Sequence, residues 1–368
     1  MKTTNCTIMR GGTSKALFFL HEDMPKNSDQ WDDFLLDVMG SPDQRQIDGL
    51  GGADPLTSKV AIIKKSDKPG IDVEYTFAQV SLTARHVGWQ GNCGNTSTAV
   101  GPFAINEKLV KATQPLTRVT ILNTNTGKKI TAEVEVENGA AKTKGSFTVP
   151  GVPGTGSPVK LAFFGSEGAL TGKLLPTGRP QDLISTPFGE IPISIVDSAA
   201  SAVFINAADL GLTGAELPTE YTKETLQRIE AIRSYAAELC GYCKREDAQT
   251  ASPQEPKAAI ISPAITYADL TGIIREAADM DLSARMMSMG KPHKALATTG
   301  AVCLTAAAAT PGTLVHQITG GLSGPLRIGH TSGIMATSAD INEDRSIGSI
   351  TISSTARTLM KGTAYLKG

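Results

Sequence analysis

Two helix-forming stretches made almost wholly of small residues constrain this chain more than any other feature. The first, GNCGNTSTAVGPFAI, covers residues 91–105, and the second, LATTGAVCLTAAAATPG, covers residues 296–312. Each opens on small polar residues and continues with small apolar ones. A helix of Ala, Gly, Ser and Thr covers a sheet poorly, but it fits where other backbone surrounds it closely. The sequence therefore predicts two similar halves, each with strands wrapped around a central helix.

Strand patterns dominate the first half of the chain. Residues 71–80 (IDVEYTFAQV) are rich in β-branched and aromatic side chains, and residues 118–139 have the pattern of a hairpin. One early helix is predicted over 28–39, where Ser28 would cap its start and Gly40 would stop it. In the small-residue helix near residue 100, a proline at position 102 should kink the helix or shift its start.

A domain boundary is predicted near residue 185, because Pro- and Gly-rich connections occupy residues 150–158 and 176–190. A new strand pair follows at 191–206, and an amphipathic helix is predicted over 223–240. This mixture of strands and helices indicates an α+β chain. The predicted domains are residues 1–185 and 186–348.

Composition excludes several classes of protein. The formal net charge is −1 and no Lys/Arg block is present, so nucleic acid is not an expected partner. The first fifteen residues lack the apolar core of a secretion signal, and the longest apolar stretch, 301–309, is too short to span a bilayer. Five cysteines, an odd count without a secretion signal, predict reduced thiols in the cytoplasm.

The stretch QGNCGN, residues 90–95, places Cys93 between glycines and asparagines. If this segment opens a helix, the thiol lies where free N–H groups and the helix dipole favour an anion. Such places lower cysteine pKa values, which makes a thiolate available for nucleophilic or acid–base chemistry. The alternative is a small buried cysteine in a tight turn, and the flanking glycines and asparagines count against it.

A second candidate is Lys59, which follows a Gly-rich loop in DGLGGADPLTSKVAII and precedes an apolar strand. A lysine desolvated at such a place has a lowered pKa and suits proton transfer. The alternative for any single lysine is an exposed side chain at a strand edge. The cluster MRGGTSK, residues 9–15, could bind a carboxylate or phosphate through backbone amides, but it lacks the P-loop spacing.

Three further residue sets give weaker signals. The lone CGYC at 240–243 has no second pair and no nearby histidine, so a metal or redox role is not expected. His293 precedes the second small-residue helix and could line a site or be structural. Cys303 lies some turns inside that helix, where burial is expected.

Five segments, in the same order, resemble the PrpF-like proteins, a family that includes methylitaconate isomerase, 4-oxalomesaconate tautomerase and 2-methylaconitate isomerase. They are MRGGTSKALFF, DGLGGADPLTSKVAII, NCGN, HKALATTGAVC and TARTLMKG. The resemblance covers essentially the whole chain. It implies the diaminopimelate epimerase-like fold, with two pseudo-symmetric domains that each wrap strands around a central helix. The C-terminal segment, residues 349–368, is expected to return to the first domain.

The resemblance assigns the catalytic roles to Cys93 and Lys59. The epimerases of this fold use one thiol from each half, but Ala297 stands at the matching position here, so a two-thiol racemase is not expected. No metal and no cofactor are expected. The residues that the resemblance and the Gly-rich segments mark as substrate-binding are Gly12, Thr13, Ser14, Ser58, Asn92, Gly94, Asn95, His293, Thr298, Thr299 and Gly300.

The implied activity is that of an isomerase: an allylic 1,3-proton shift in a small unsaturated di- or tricarboxylate. Which carboxylate is the substrate, and which of Lys59 and Cys93 is the acid, stay open at this point. The chain is also compatible with a homo-oligomer. Two other classes of function remain open, namely a cysteine hydrolase that uses Cys93 with His293, and a non-catalytic accessory protein of an aconitase-like dehydratase.

Overall fold

The computed structural model describes residues 2–367, and the chain divides into two compact units. Unit 1 comprises Met1–Ala162 and Ser353–Gly368, and unit 2 comprises Phe163–Ile352. This division falls well before residue 185. The intervening connection is tied to unit 2 because the Asp197 carboxylate accepts hydrogen bonds from the backbone N–H groups of Leu170 and Thr171. The predicted domains, residues 1–185 with 349–368 and residues 186–348, stay a prediction.

The strands, in chain order, are β1 (Thr3–Gly11), β2 (Ser14–Leu20), β3 (Lys59–Lys65), β4 (Val73–Val80), β5 (Val87–Gly88), β6 (Leu116–Asn123), β7 (Lys128–Glu137), β8 (Ala140–Ala141), β9 (Pro158–Phe164), β10 (Asp182–Thr186), β11 (Gly189–Ser198), β12 (Ala200–Asn206), β13 (Lys257–Pro263), β14 (Tyr267–Ala268), β15 (Ile274–Arg275), β16 (Leu282–Ser288), β17 (Lys291–Pro292), β18 (Leu326–His330), β19 (Gly333–Ile341) and β20 (Ile347–Tyr365). The α-helices are α1 (Trp31–Met39), α2 (Gly94–Asn106), α3 (Lys223–Leu239), α4 (Ala248–Ala251), α5 (Thr298–Ala309) and α6 (Leu314–Thr319).

The same sequence of strand pairings occurs in both units. In unit 1, β1 pairs with β2 antiparallel, β2 with β3 parallel, β3 with β4 antiparallel, β4 with β6 parallel and β6 with β7 antiparallel. In unit 2 the same alternation joins β11, β12, β13, β16, β18 and β19. A buried helix precedes the fifth strand of each series, α2 in unit 1 and α5 in unit 2. Each half is therefore a copy of one architecture, as the two small-residue stretches predicted.

The helix α2 is the centre of unit 1. Every residue from Gly94 to Ile105 is buried, and α2 packs against β1, β2, β3, β6 and β7. A Cβ atom built on Gly101 would lie 2.8 Å from the Cβ atom of Ala132, so glycine is what allows β7 to approach this turn. The small residues of the stretch are therefore required by the strands around it.

Pro102 lies inside α2, which nevertheless begins at Gly94 and continues to Asn106. Of the two effects expected of this proline, the shifted helix start does not occur, and a kink stays a prediction. Burial of the helix on all sides stabilises it, and this packing outweighs the hydrogen bond that proline removes.

The early helix also differs from its prediction at one end. Ser28–Gln30 form a single 3-10 turn, and the α-helix α1 begins only at Trp31. Ser28 is not the cap, because the side chain of Asn27 accepts the hydrogen bond from the Asp29 backbone N–H at 3.1 Å. The predicted stop is confirmed, since Gly40 adopts the left-handed conformation (φ 74°) that ends the helix.

Unit 2 contains the predicted strand pair and helices together with further strands and short helices that were not predicted. The helix α3 follows Thr222, whose hydroxyl accepts from the Thr225 N–H at 3.1 Å, and matches the predicted 223–240. The segment 176–190, expected to be a connection, contains β10, which pairs antiparallel with β11. Eleven of the twelve residues of α5 are buried, and α5 packs against β11, β12 and β19.

The end of β20 belongs to unit 1. Its residues Ala356–Tyr365 pair antiparallel with β1. Within residues 2–367, no helix has the length and apolar character needed to cross a membrane.

Candidate active site

Cys93 is the N-cap residue of α2. Its backbone is extended (φ −113°, ψ 99°), its Sγ atom accepts from the Thr96 N–H at 3.5 Å, and its carbonyl accepts from the Ser97 N–H at 2.8 Å. The Ser97 hydroxyl also donates to Asn92 Oδ1 at 3.1 Å, which ties the turn before the helix to its first turn. The half-buried sulfur therefore lies where unpaired N–H groups and the helix dipole favour a negative charge.

The surroundings of Cys93 favour the thiolate. Burial alone would raise its pKa, but the positive charge of Lys59 and hydrogen-bonding groups of Thr96 and Ser14 outweigh burial, so the pKa of Cys93 lies below its ordinary value. The Thr96 backbone N–H donates to the sulfur at 3.5 Å, and the Thr96 and Ser14 hydroxyls lie near it. Cys93 is thus a partly exposed thiol whose anionic form is stabilised.

Lys59 is the first residue of β3 and is buried, with 8% of its surface exposed. Its strand pairs on one side with β2 and on the other with β4, so the alternative of an exposed lysine at a strand edge is wrong. The Nζ atom donates to Gln79 Oε1 at 2.5 Å and lies 5.3 Å from the centre of the Phe77 ring. Burial, a polar acceptor and an aromatic face together hold an ammonium group close to the thiol.

The turn between β1 and β2 contacts the first turn of α2 through Asn95. The Asn95 Oδ1 atom accepts from the Thr13 N–H at 3.4 Å, and its Nδ2 atom donates to Thr13 Oγ1 at 3.1 Å. Gly12 has a φ of +49°, and a Cβ atom built there would lie 2.2 Å from Asn95 Oδ1. The Gly12–Thr13–Ser14 cluster therefore lies beside Cys93, and a glycine at position 12 is what makes this approach possible.

Among the residues that the structure describes, three buried hydroxyl groups near Cys93 make no hydrogen bond of normal geometry. They belong to Ser14, Tyr75 and Thr96, whose side chains are 2%, 0% and 1% exposed. The charge of a Cys93 thiolate contributes, after burial, to a pKa of Tyr75 well above its ordinary value, so the phenol stays protonated. Because an unpaired buried polar group costs about 1–3 kcal/mol, these hydroxyls mark a place that a polar ligand can complete.

Ser58, in contrast, already uses its hydroxyl within the protein. The group accepts from Gln46 Nε2 at 2.8 Å and donates to the Val80 carbonyl at 2.9 Å. These bonds hold the loop before β3 against the end of β4. The Ser58 hydroxyl is therefore occupied within the protein.

The remaining predicted residues belong to unit 2. Ala297 is the N-cap of α5, and the buried residues Thr298, Thr299 and Gly300 form its first turn. His293, 6% exposed, accepts from the Ala295 N–H at its Nδ1 atom at 2.9 Å. Nearby His330 is fully buried, and burial, with the positive charges of Arg285 and His293, lowers the pKa of His330 to about 3.

The other four thiols differ from Cys93. Cys303 is buried within α5 and donates to the Val196 carbonyl at 3.2 Å, and burial raises its pKa far above the ordinary value. Burial raises the pKa of Cys240 to about 12 and also raises the pKa values of Cys6 and Cys243. Within residues 2–367, no group of three or more His, Cys, Asp and Glu side chains could hold a metal ion.

Sequence reasoning missed Tyr75, Gln79 and Thr96. Thr96 follows NCGN directly and could have been included as the residue whose N–H the cap accepts. Tyr75 and Gln79 lie on β4, inside a strand pattern that carries no chemical signal of its own.

The family model described as "PrpF protein" matches residues 1–367. The chain belongs to the PrpF family. The 3-methylitaconate isomerase of Eubacterium barkeri is 45% identical to this PrpF-family chain over 368 residues, covering 98% of the chain and 97% of that relative. The 2-methyl-aconitate isomerase of Shewanella oneidensis (strain MR-1) is 38% identical, covering 97% and 95%.

A crystal structure of a methylitaconate-delta-isomerase matches this PrpF-family chain with a TM-score of 0.83 and 43% identity, covering 100% of this chain and 96% of that one. The fold is therefore the diaminopimelate epimerase-like fold that the resemblance implied. The family resemblance is confirmed, and the chain is an isomerase.

Proposed function

We propose that this PrpF-family isomerase moves a carbon–carbon double bond in a small unsaturated di- or tricarboxylate by an allylic 1,3-proton shift. The compounds that name its relatives, methylitaconate, methylaconitate and oxalomesaconate, define the substrate class. Cys93 and Lys59 carry the two proton transfers. The observation that supports this most is a half-buried thiol at a helix N-terminus whose pKa, despite burial, is lowered by the charge of a buried lysine.

The reaction conserves atoms and electrons. In a methylitaconate-like substrate, one group removes the proton from the saturated carbon next to a carboxylate, and the electrons of the broken C–H bond form a dienolate. The second group then delivers a proton to the far alkene carbon, so one C–H bond breaks, one forms, and the double bond moves by one position. A base and an acid with matched pKa values are sufficient for this chemistry.

The main requirement for this reaction is stabilisation of the negative charge that develops on the dienolate. The first turn of α2 supplies hydrogen-bond donors for that charge. The first turn of α2 directs its backbone N–H groups toward Cys93, and the buried Ser14, Thr96 and Tyr75 hydroxyls make no hydrogen bond of normal geometry. Preorganised donors of this kind contribute the largest electrostatic term in many enzymes. We propose further substrate contacts from Gly12, Thr13, Asn92, His293, Thr298, Thr299 and Gly300. The substrate contact expected of Ser58 is withdrawn, because its buried hydroxyl is already bonded to Gln46 and Val80.

We also propose that the enzyme works in the cytoplasm, as a homo-oligomer and without a metal or other cofactor. All five cysteines are free, which fits a reducing compartment.

Turnover of a substrate panel tests this function. The purified protein, after dialysis against EDTA, is incubated with methylitaconate, methylaconitate and oxalomesaconate, and vinyl and methyl signals are followed by proton NMR. We expect at least one compound to equilibrate with its double-bond isomer, and Cys93→Ala to abolish that reaction. A folded protein that isomerises none of them, or that requires a partner protein for turnover, would contradict the proposal.

A further inference from the structure

Gln79 contacts Lys59 directly, yet it lies outside the sequence motifs that mark the site. It stands opposite Lys59 in the antiparallel β3–β4 pair, and 7% of its surface is exposed. Its Oε1 atom accepts from Lys59 Nζ at 2.5 Å. The donor in this bond is a charged ammonium group, so the bond is charge-assisted.

The orientation of the Gln79 amide is fixed by its other end. Its Nε2 atom donates to the Pro55 carbonyl at 3.1 Å and to the Ser58 carbonyl at 2.9 Å. Both partners only accept, so the nitrogen must face them and the oxygen must face Lys59. The same amide therefore ties the loop before β3 to β4 and presents a single acceptor to the lysine.

We propose that Gln79 is a positioning residue that holds the ammonium group of Lys59 at the place where it acts on Cys93. A lysine side chain has four rotatable bonds, and it loses this freedom only where a partner fixes its end. Gln79 is itself held by two carbonyl groups, so the lysine end is fixed to a rigid strand pair. This inference rests on the proposed function, in which the ammonium group of Lys59 acts on the Cys93 thiol.

Only glutamine satisfies both requirements at this position. Methionine has similar length and volume but neither donates to the two carbonyls nor accepts strongly from Lys59. Glutamate could accept from Lys59, but its second oxygen would face the Pro55 and Ser58 carbonyls, and its charge would cancel much of the positive charge that Cys93 experiences. Both substitutions should therefore weaken the effect of Lys59 on the thiol.

The test compares Gln79→Met and Gln79→Glu with the matched control Gln46→Met. Gln46 is also buried, and both ends of its amide are bonded to Ser41, Ser58 and Ala53 of the same loop. The first readout is the rate of Cys93 alkylation by iodoacetamide as a function of pH, measured by peptide mapping. Because thiolate reacts and thiol does not, both Gln79 variants should label severalfold more slowly at pH 7, with the midpoint of the profile moved to higher pH.

The second readout is turnover, which should fall by about 10- to 100-fold in Gln79→Met because the lysine is no longer held in place. Gln46→Met should leave the midpoint of the labelling profile where it is in the wild type. In a Lys59→Met background, Gln79→Met should move the midpoint no further, since the two changes act through one group.

Failure of the inference and failure of the proposed function give different results. If Lys59→Met moves the midpoint and abolishes turnover but neither Gln79 variant moves the midpoint, Gln79 is structural and the inference is overturned. The inference is also overturned if Gln46→Met moves the midpoint as far as Gln79→Met does. If Lys59→Met itself leaves both the labelling profile and turnover unchanged, the proposed function fails with it.

Discussion

The close approach of β1 to the first turn of α2 makes Gly11→Ala a quantitative test of the site. A Cβ atom at position 11 would lie 2.3 Å from the backbone carbonyl oxygen of Asn95 and 3.1 Å from the Ala99 Cβ atom. The first distance is more than 1 Å short of the roughly 3.5 Å at which non-bonded atoms make contact. Backbone cannot turn away as a side chain can, so β1 and the first turn of α2 must separate.

The size of the effect follows from two opposing terms. Overpacking of this kind costs about 1–3 kcal/mol, and replacing glycine in the unfolded chain returns about 0.4–1 kcal/mol. We expect the free energy of unfolding to fall by about 1–2 kcal/mol. Because the displaced turn begins at Cys93, kcat/KM should also fall, by about 10²-fold for a displacement near 1 Å.

The assay is urea unfolding followed by circular dichroism, together with kcat/KM for the substrate found by NMR. Gly324→Ala is the matched control, because a Cβ atom at Gly324 meets nothing within 4 Å. That variant should be as stable as the wild type or slightly more stable, with unchanged activity. If Gly11→Ala unfolds at the same urea concentration as Gly324→Ala and keeps full kcat/KM, the close approach has no functional role and the reasoning is refuted.

Three further outcomes are expected. Cys93→Ala should leave no detectable turnover and Lys59→Met should lower kcat by about 10²–10⁴-fold, both in proteins that stay folded, whereas Cys303→Ala should keep most activity; equal loss in the two cysteine variants would restore a two-thiol mechanism. Brief treatment with iodoacetamide near pH 7 should label Cys93 faster than the other four cysteines, and an unsaturated dicarboxylate should slow the labelling of Cys93. If the ligand leaves the labelling rate unchanged, the thiol has only a structural role. His330 has a pKa of about 3 in the folded state and about 6.5 in the unfolded state. As the pH falls below about 6.5, His330 therefore takes up a proton in the unfolded state but not in the folded state. The free energy of unfolding should therefore fall more steeply from pH 6.5 to pH 4 in the wild type than in His330→Gln, as measured by urea unfolding at each pH; equal slopes in the two proteins would contradict this.

The parts of the fold that could be predicted from the sequence are those with a local physical cause. The small residues of α2 and α5 exclude any role other than a buried helix, and Cys93 and Ala297 occupy the two matching caps as expected. Strands β6 and β7 also follow from alternation and a turn. These features depend on neighbours within one turn or one strand.

The parts that could not be predicted depend on register between distant segments. Gln79 faces Lys59 because β4 pairs with β3 in one register, and a shift of one residue would point its side chain to the other face of the sheet. Tyr75 lies on the same strand and is buried for the same reason. The start of α1 differs from the prediction because Ser28–Gln30 form a 3-10 turn, capped by Asn27, before the α-helix begins at Trp31.

Deuterium incorporation measures the central claim most directly. A compound that the enzyme isomerises is converted in heavy water, and the isomer is isolated and examined by proton NMR and mass spectrometry. Proton transfer by Cys93 and Lys59, both in exchange with solvent, predicts one deuterium in the product at the carbon that gains a proton, and no product from Cys93→Ala. A wild-type product without deuterium, or a covalent acyl group on Cys93, would contradict the account.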